Sequence, residues 1–397
     1  MSYTHFIEEL IGFQDFTLLN IEKHEEKIEI YIEMKRKEHI CPHCGAKTKK
    51  IHDYRWQTIK DLDCFDKKVY IHIHKRRYRC KCGKRITEKI EFLPRYYRMT
   101  KRMICKILDE LRDVCSFTSV ARRHDVSVST VIRIFNLISY PAPKLPVAIS
   151  IDEFKGNAGG QKYQCIIADP LKKQVLDILP RRSDWYIQKY FLQYPKEERN
   201  RVQIFVSDMW KPYQESAKLL FMNSMRVIDK YHWIRQIIWA FERVRKDTQK
   251  TMSSEKRKYF KRSRNLLLKP FDSLSDDDKQ AVNIMLYYSS NLSSAHFQKE
   301  EFQKIARSKK ISESVRLMNE WIVDAKDCEI NPMVKCANTI DNWKPEILNS
   351  FTTTCTNGFI EGCNNKIKVL KRNAYGYRNQ ERFRNRILHI FSHQRAA

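Results

Sequence analysis

Glu361 stands alone among amides and lysines in Thr356-Asn357-Gly358-Phe359-Ile360-Glu361-Gly362-Cys363-Asn364-Asn365-Lys366-Ile367-Lys368. Ile360, Cys363, Ile367 and Leu370 recur at helical spacing as an inward stripe, and Asn357 is placed to cap the helix. Glu361, Asn364, Asn365, Lys368 and Arg372 share another face. An acid among groups that suit phosphate points to a bound divalent cation, which lets carboxylate and phosphate coexist. Such a site needs further acids, and two strand ends supply them. In Val147-Ala148-Ile149-Ser150-Ile151-Asp152, the alternation puts Asp152 on the sheet face opposite the aliphatic set; Asp208 ends the apolar run Val202 to Ser207. Strand-end acids and an acid on a late helix can converge although far apart in sequence. Their chemistry would be in-line displacement at phosphorus with two cations, magnesium or in its place manganese, held by Asp152, Asp208 and Glu361.

The elements around these acids follow from pattern. Strands near 147–152, 162–168 and 173–179 form a meander; a helix runs from Ser183 to about Leu192, and another from near Pro212 to Leu220 is followed by a strand at 225–228. Residues 232–345 read as helical, with Ser275-Asp276-Asp277-Asp278 as a helix start. The basic stretch from Arg243 through Lys269 suits DNA tracking, a partner protomer or a plain exposed face, and the sequence does not choose among them.

Upstream of the extended connector Tyr140 to Pro146 lie two modules. Cys41-Pro42-His43-Cys44 and Cys80-Lys81-Cys82 have the spacing of two knuckles that complete one tetrahedral zinc site, with His43 and His74 as possible substitutes and a strand from Lys68 delivering the second knuckle. Arg76 and Arg77 beside that knuckle are candidates for phosphate contact. Residues 116–135 read as a helix-turn-helix with its turn at Asp125-Val126 and a shared core of Val120, Ala121, Val126, Val131 and Ile134. Ser127, capping the second helix, Ser129, Thr130 and Arg133 are then placed to touch DNA.

At these residues the chain resembles the ISL-three family of bacterial insertion-sequence transposases, within the DDE, RNase H-like polynucleotidyl transferases. Asp152 in Ile151-Asp152-Glu153-Phe154 is similar to the family's first aspartate. Asp208 in Ser207-Asp208-Met209-Trp210-Lys211-Pro212-Tyr213 resembles the second, and Glu361 the glutamate. Lys371-Arg372-Asn373-Ala374-Tyr375-Gly376-Tyr377-Arg378 continues the family's pattern, adding Lys371 to the DNA-facing candidates. Asp229 and His232 resemble an Asp-x-x-His element of related families with helical insertions, which makes His232 a catalytic candidate on resemblance alone. The resemblance covers nearly the whole chain and implies a multidomain α+β protein. Its parts are a zinc-ribbon-like module at 1–92, a helix-turn-helix domain at 93–140, an RNase H-like α/β catalytic core at 147–231 and 346–397, and an α-helical insertion at 232–345.

Composition agrees. A net charge of +28 and a pI near 9.6 over 397 residues call for a polyanionic partner. No apolar run is long enough to span a bilayer, and Met1 to His5 lack a signal-peptide profile, so the expectation is a cytoplasmic, nucleoid-associated protein. In that compartment the twelve cysteines are not expected to form disulfides; Cys64, Cys105, Cys115, Cys165, Cys328, Cys336, Cys355 and Cys363 are assigned to the core. Glu153 is set aside because it points to the other side of its strand from Asp152, and Trp210 reads as core or as a base-stacking ring. The expected function is a DNA transposase acting on duplex terminal repeats and target DNA, as a homodimer or larger when bound. Alternatives are a DNA-binding regulator that does not cut, or a metal-dependent nuclease without strand transfer.

Overall fold

The computed structural model describes residues 12–392, so the leader reading at Met1 to His5 lies outside the described residues. Tertiary contacts divide the chain into two units, at 1–138 and 139–397.

In the first unit β1 (Phe16–Lys23), β2 (Lys27–Met34), β5 (Ile51–Lys60) and β6 (Lys68–Arg79) form a sheet of order β1-β2-β6-β5. The short β3 (His39–Ile40) and β4 (Lys47–Thr48) make a separate hairpin, and β7 (Arg85–Thr87) pairs with β6. Alternate residues Ile30, Ile32, Ile59, Val69, Ile71 and Ile73 fill one face. The expected strand from Lys68 is β6, and it ends directly at Cys80. Three helices follow: α1 (Lys101–Glu110), α2 (Phe117–Arg123) and α3 (Val128–Phe135). Ser116 and Ser127 cap the last two, and the turn between them needs a positive φ of 47° at Asp125. Val120, Ala121, Val131 and Ile134 are buried as expected, Val126 is only half-buried, and Phe117 and Phe135 complete the core with ring centres 5.4 Å apart.

In the second unit β8 (Ala148–Phe154), β9 (Gln164–Asp169), β10 (Gln174–Leu179), β11 (Ile204–Ser207) and β12 (Met225–Ile228) form a sheet of order β10-β9-β8-β11-β12. The β8–β9 and β9–β10 pairs are antiparallel; β11 is parallel to both β8 and β12. Helices α4 (Asp184–Leu192), α5 (Lys196–Arg199) and α6 (Lys211–Leu220) occupy the connections between β10 and β12. Ile149, Ile151, Ile167 and Phe205 pack on Ile187, Phe191, Tyr213 and Leu220 of α4 and α6, while Ala148, Val206 and Val227 turn to the opposite face with Cys355. Both faces are covered, which is why the parallel strands read as nearly continuous apolar runs.

After β12 the chain is helical: α7 (Lys230–Lys250), α8 (Ser254–Arg262), α9 (Arg264–Leu268), α10 (Asp276–Tyr287), α11 (Ser290–Arg307), α12 (Ile311–Asp327), α13 (Asn331–Asn342) and α14 (Lys344–Asn349). Ser275 caps α10, as its sequence signalled. Trp233, Phe241, Phe302, Trp321 and Ile340 belong to a core of their own. Then α15 (Gly358–Asn373) and α16 (Gln380–Phe391) return to the sheet, where Arg384 grips the buried Asp177 of β10 through Nε at 2.5 Å and Nη2 at 3.0 Å. Cys165, Cys336, Cys355 and Cys363 are buried as assigned, but Cys105 faces outward on α1, and Cys64, Cys115 and Cys328 are half-buried.

Candidate active site

The parallel pairing of β8 and β11 sets Ile204 opposite Ala148 and Val206 opposite Ser150. Asp208 follows directly after β11 and Asp152 lies two residues beyond Ser150 on β8, so the two acids stand at the same end of neighbouring strands, and the charge of Asp208 acts on Asp152. Both acids sit towards the carboxyl ends of their strands, where open α/β sheets gather functional groups. Asp152 Oδ1 accepts the Glu153 backbone N–H at 2.8 Å, and Oδ2 accepts Asn364 Nδ2 at 3.0 Å. The second bond brings α15 onto β8. Glu361, exposed and one helical turn before Asn364, lies on that side of α15.

Burial first, then the charges of Asp208, Glu153 and Glu361, push the Asp152 carboxyl up to about 7 against the opposing Glu153 amide. Burial and the charge of Glu153 push Asp208 up to about 6, opposed by the Trp210 amide and Arg182. Asp208 Oδ1 is buried with no hydrogen-bond partner. His232, in the first turn of α7, is half-buried; burial lowers its pKa, so it is neutral at pH 7, although the charges of Asp229 and Glu361 pull the other way. Through these mutual influences Asp152, Asp208, Glu361 and His232 form one neighbourhood.

Glu153 belongs to it as well. Its side chain leaves the strand opposite to Asp152 and takes Arg182 Nη1 at 2.6 Å, yet its charge acts on Asp152, Asp208 and His232. The expected direction of Glu153, away from Asp152, is thus the one observed, and its charge still reaches the acids because alternation separates directions and not the few ångströms over which charge acts in a buried site. Trp210 is half-buried, edge-on to Tyr213 at 4.6 Å with the Arg182 guanidinium 5.4 Å from its ring, and so closes the rim of the core beneath Asp208.

Two further corrections concern α15. Asn364 is buried against Asp152 and does not present its amide to DNA, whereas Asn365, Lys368 and Arg372 are exposed and Lys371, half-buried, donates to the Lys155 carbonyl at 2.5 Å. Asn357 stands at the N-cap but makes no side-chain cap. Its Nδ2 donates to the Ile151 carbonyl at 3.3 Å, and its backbone N–H donates to Asp229 Oδ1 at 2.8 Å. Asp229 Oδ2 in turn accepts the Tyr231 N–H, capping α7. One buried pair thus joins β8 and the starts of α7 and α15.

A carboxylate oxygen left without a donor, beside a second acid that burial keeps proton-hungry, is a hard-oxygen environment that fits a divalent cation. Among the described residues these acids do not gather within 4.8 Å of one another as the zinc-site cysteines do. The raised values have a consequence for stability. A carboxyl whose folded pKa lies above 3.8 binds more protons folded than unfolded, so without metal its contribution falls as pH rises from about 4 to about 7. Asp152→Asn removes that loss: its Oδ1 can still accept the Glu153 N–H, and its new Nδ2 can donate to Asn364 once that amide turns over to present Oδ1. The metal-free variant is expected to melt several degrees above the native chain at pH 8, the difference closing towards pH 4; equal melting temperatures at pH 8 would refute the assignment of Asp152 as the strained acid.

In the first unit Cys41, Cys44, Cys80 and Cys82 bring their sulfurs within 4.8 Å of one another, with Cys41–Cys82 at 3.7 Å and Cys44–Cys80 at 3.4 Å. These separations are far beyond an S–S bond of about 2.05 Å and near the edge of about 3.8 Å that Zn–S bonds of 2.3 Å give a tetrahedron. The backbone amides of Cys44 and His43 help hold the Cys41 thiol down to about 6. His74 is outside this cluster, stacked on Tyr54 and bonded to Glu33. Arg76, expected at phosphate, is instead buried and bound to Glu33, Glu88 and the Met34 carbonyl, so it braces the sheet. Arg77 is engaged by Asp53. Ser127, Ser129 and Arg133 are exposed and Thr130 half-exposed on α3, on the side away from its core.

Residues 149–387 match the family described as Transposase, of the DDE type named for ISL3. The chain belongs to this transposase family. Residues 37–83 of the transposase match the zinc-finger of transposase IS204/IS1001/IS1096/IS1165, and residues 88–139 match the helix-turn-helix domain of transposase family ISL3. The transposase is 28% identical over 394 residues to a Bordetella parapertussis protein described as the transposase for insertion sequence element IS1001, with 95% of each chain covered. A 50-residue segment, 13% of the chain, is 46% identical to 16% of a Lactococcus lactis subsp. lactis protein described as an ATP-dependent protease, a span too short to bear on the activity. The transposase is thus a DNA-binding enzyme with a zinc ribbon and a helix-turn-helix. No helix among the described residues is long and apolar enough to cross a membrane.

Proposed function

We propose that the transposase cuts the ends of an insertion sequence and joins them to target DNA at a site formed by Asp152, Asp208 and Glu361, which would hold two magnesium ions or, in their place, manganese. The orphaned Asp208 Oδ1, on an acid whose charge bears on Asp152, is the observation that carries this reading. Ions bound there supply Lewis acidity, lowering the pKa of an attacking water or 3′-hydroxyl and neutralising the leaving 3′-oxygen. Asn364 fixes the rotamer of Asp152, and Glu361, exposed on α15, would supply the third carboxylate. His232, half-buried in the same neighbourhood, would accept the nucleophile's proton. Asn365, Lys368 and Arg372 on α15 meet the phosphates flanking the scissile bond.

The strand order β10-β9-β8-β11-β12, three antiparallel strands followed by two parallel ones, supports an RNase H-like core at 147–231 and 346–397, interrupted by a helical insertion at 232–345. The zinc ribbon, within 1–92, and the helix-turn-helix, within 93–140, recognise the duplex terminal repeats through Ser127, Ser129, Thr130 and Arg133, with zinc at the four cysteines. Two element ends are brought together by a homodimer or larger assembly acting in the cytoplasm at the nucleoid. The test is product analysis: a labelled element end, target plasmid and magnesium should yield a 3′ end covalently joined to the plasmid. Cleavage without joining would leave a nuclease, and tight specific binding without either would leave a regulator.

A further inference from the structure

Tyr231, Arg235 and Trp239 recur every four residues on α7 and therefore lie on one side of it, one turn apart. That side is open: Tyr231 is 53% exposed and Trp239 46%, with Arg235 exposed between them. Trp233, Ile237, Phe241 and Val244 of the same helix turn inward instead. The Arg235 guanidinium lies 4.3 Å from the centre of the Trp239 ring and 5.7 Å from that of Tyr231, a charged plane between two exposed rings. Tyr231 meets His232 edge-on at 5.6 Å, so the stripe begins at the candidate active site.

The outward face continues through the exposed Arg243 and Lys246 into a groove of about 570 Å³ that Arg257, Lys258 and Lys261 also line. Tyr231 to Lys246 spans about 22 Å of helix. The one acid along that length, Glu242, is buried and held by Arg245 Nε at 2.6 Å and Arg264 Nε at 2.7 Å, so the outward face stays cationic.

We propose that this face receives an unpaired DNA strand as it leaves the active site, bases stacking on Tyr231 and Trp239 and phosphates meeting Arg243, Lys246 and the groove beyond. The starting point of that path rests on the catalytic reading above. A duplex could use only the cations, because its base faces are already stacked on one another; exposed rings interleaved with arginine at the spacing of a helical turn gain contact only when bases are free. The order along the helix follows the same logic, with rings next to the chemistry, where a strand has just been separated, and bare cations further out.

The test uses the full chain and an element-end duplex with a short unpaired extension containing 2-aminopurine, whose fluorescence falls on stacking. The native chain should quench the probe. Trp239→Phe should retain the quenching, and Trp239→Ala should lose most of it and bind the extension about tenfold more weakly, while binding the fully paired end as before. Asp208→Asn should quench like the native chain, so a failure of the catalytic reading registers in cleavage and a failure of this one in fluorescence. A native chain that leaves the probe bright, or quenching that survives Trp239→Ala combined with Tyr231→Ala, would overturn the proposal.

Discussion

Asp208→Asn should lower strand cleavage and joining by at least about 10³-fold while leaving element-end binding and the circular dichroism spectrum unchanged. A carboxylate bound directly to a catalytic cation contributes several kcal/mol of transition-state stabilisation, and each 1.36 kcal/mol is about tenfold in rate. The fold should not object to the change. Asp208 Oδ1 is buried and unpartnered, and Asp208 lies in the field of Glu153, so replacing its charge by an amide relieves repulsion. Because the two groups have nearly the same shape, Trp210 and Tyr213 keep their packing beneath it. Residual activity within tenfold of native would remove Asp208 from the site, whatever the other acids do.

Stripping metal from the four-cysteine cluster should release one zinc per chain and reduce specific binding to the element end by about a hundredfold or more, with the second unit still folded. Structural zinc contributes about 10–16 kcal/mol in small zinc-finger peptides, because unfolded thiols make no preformed site. Here part of the ribbon has its own support: Ile30, Ile32, Ile59, Ile71 and Ile73 pack without reference to the cysteines. The knuckles have no comparable core. The β3–β4 hairpin is two residues on each side, and Cys41 and Cys44 lie in the loop that it closes. Loss of metal should therefore open the hairpin and the β6–β7 end before the sheet melts. Cys41→Ser should reproduce the effect without a chelator. A chain that contains no zinc by elemental analysis, or whose specific binding survives both treatments, would contradict this account.

The strand from Lys68, the helix-turn-helix, the strands and helices of 147–228 and the helix bearing Glu361 were legible because each has a local signal. Alternation marked β8, Ser127 before the second helix marked the turn at Asp125, and the inward stripe of α15 is the one observed. What escaped was set by partners remote in sequence. Asn364 looks like a polar surface residue until β8 arrives beside it with a carboxylate, and Asn357 looks like a cap until Ile151 and Asp229 claim its amide and its N–H. Arg76 sits in a run of cations that reads as a phosphate contact, but its strand position points it at Glu33 and Glu88. Alternation gave the direction of Glu153, but not that its charge would act on both aspartates. In each case periodicity supplies direction, and only tertiary structure supplies the neighbour.

The bond from Asn364 to Asp152 also imposes a timetable. Its ends are 212 residues apart, so at about 5–20 residues per second a ribosome needs about 10–40 s between making one and making the other. Throughout that interval the zinc ribbon and helix-turn-helix are already synthesised and able to fold, while the face of the sheet that α15 will cover stands open and Asp152 has no amide to hold it. On the proposed reading, a nascent chain could find an element end before it is able to cut one, and a message broken within the helical segment would make a protein that occupies the ends and shields them.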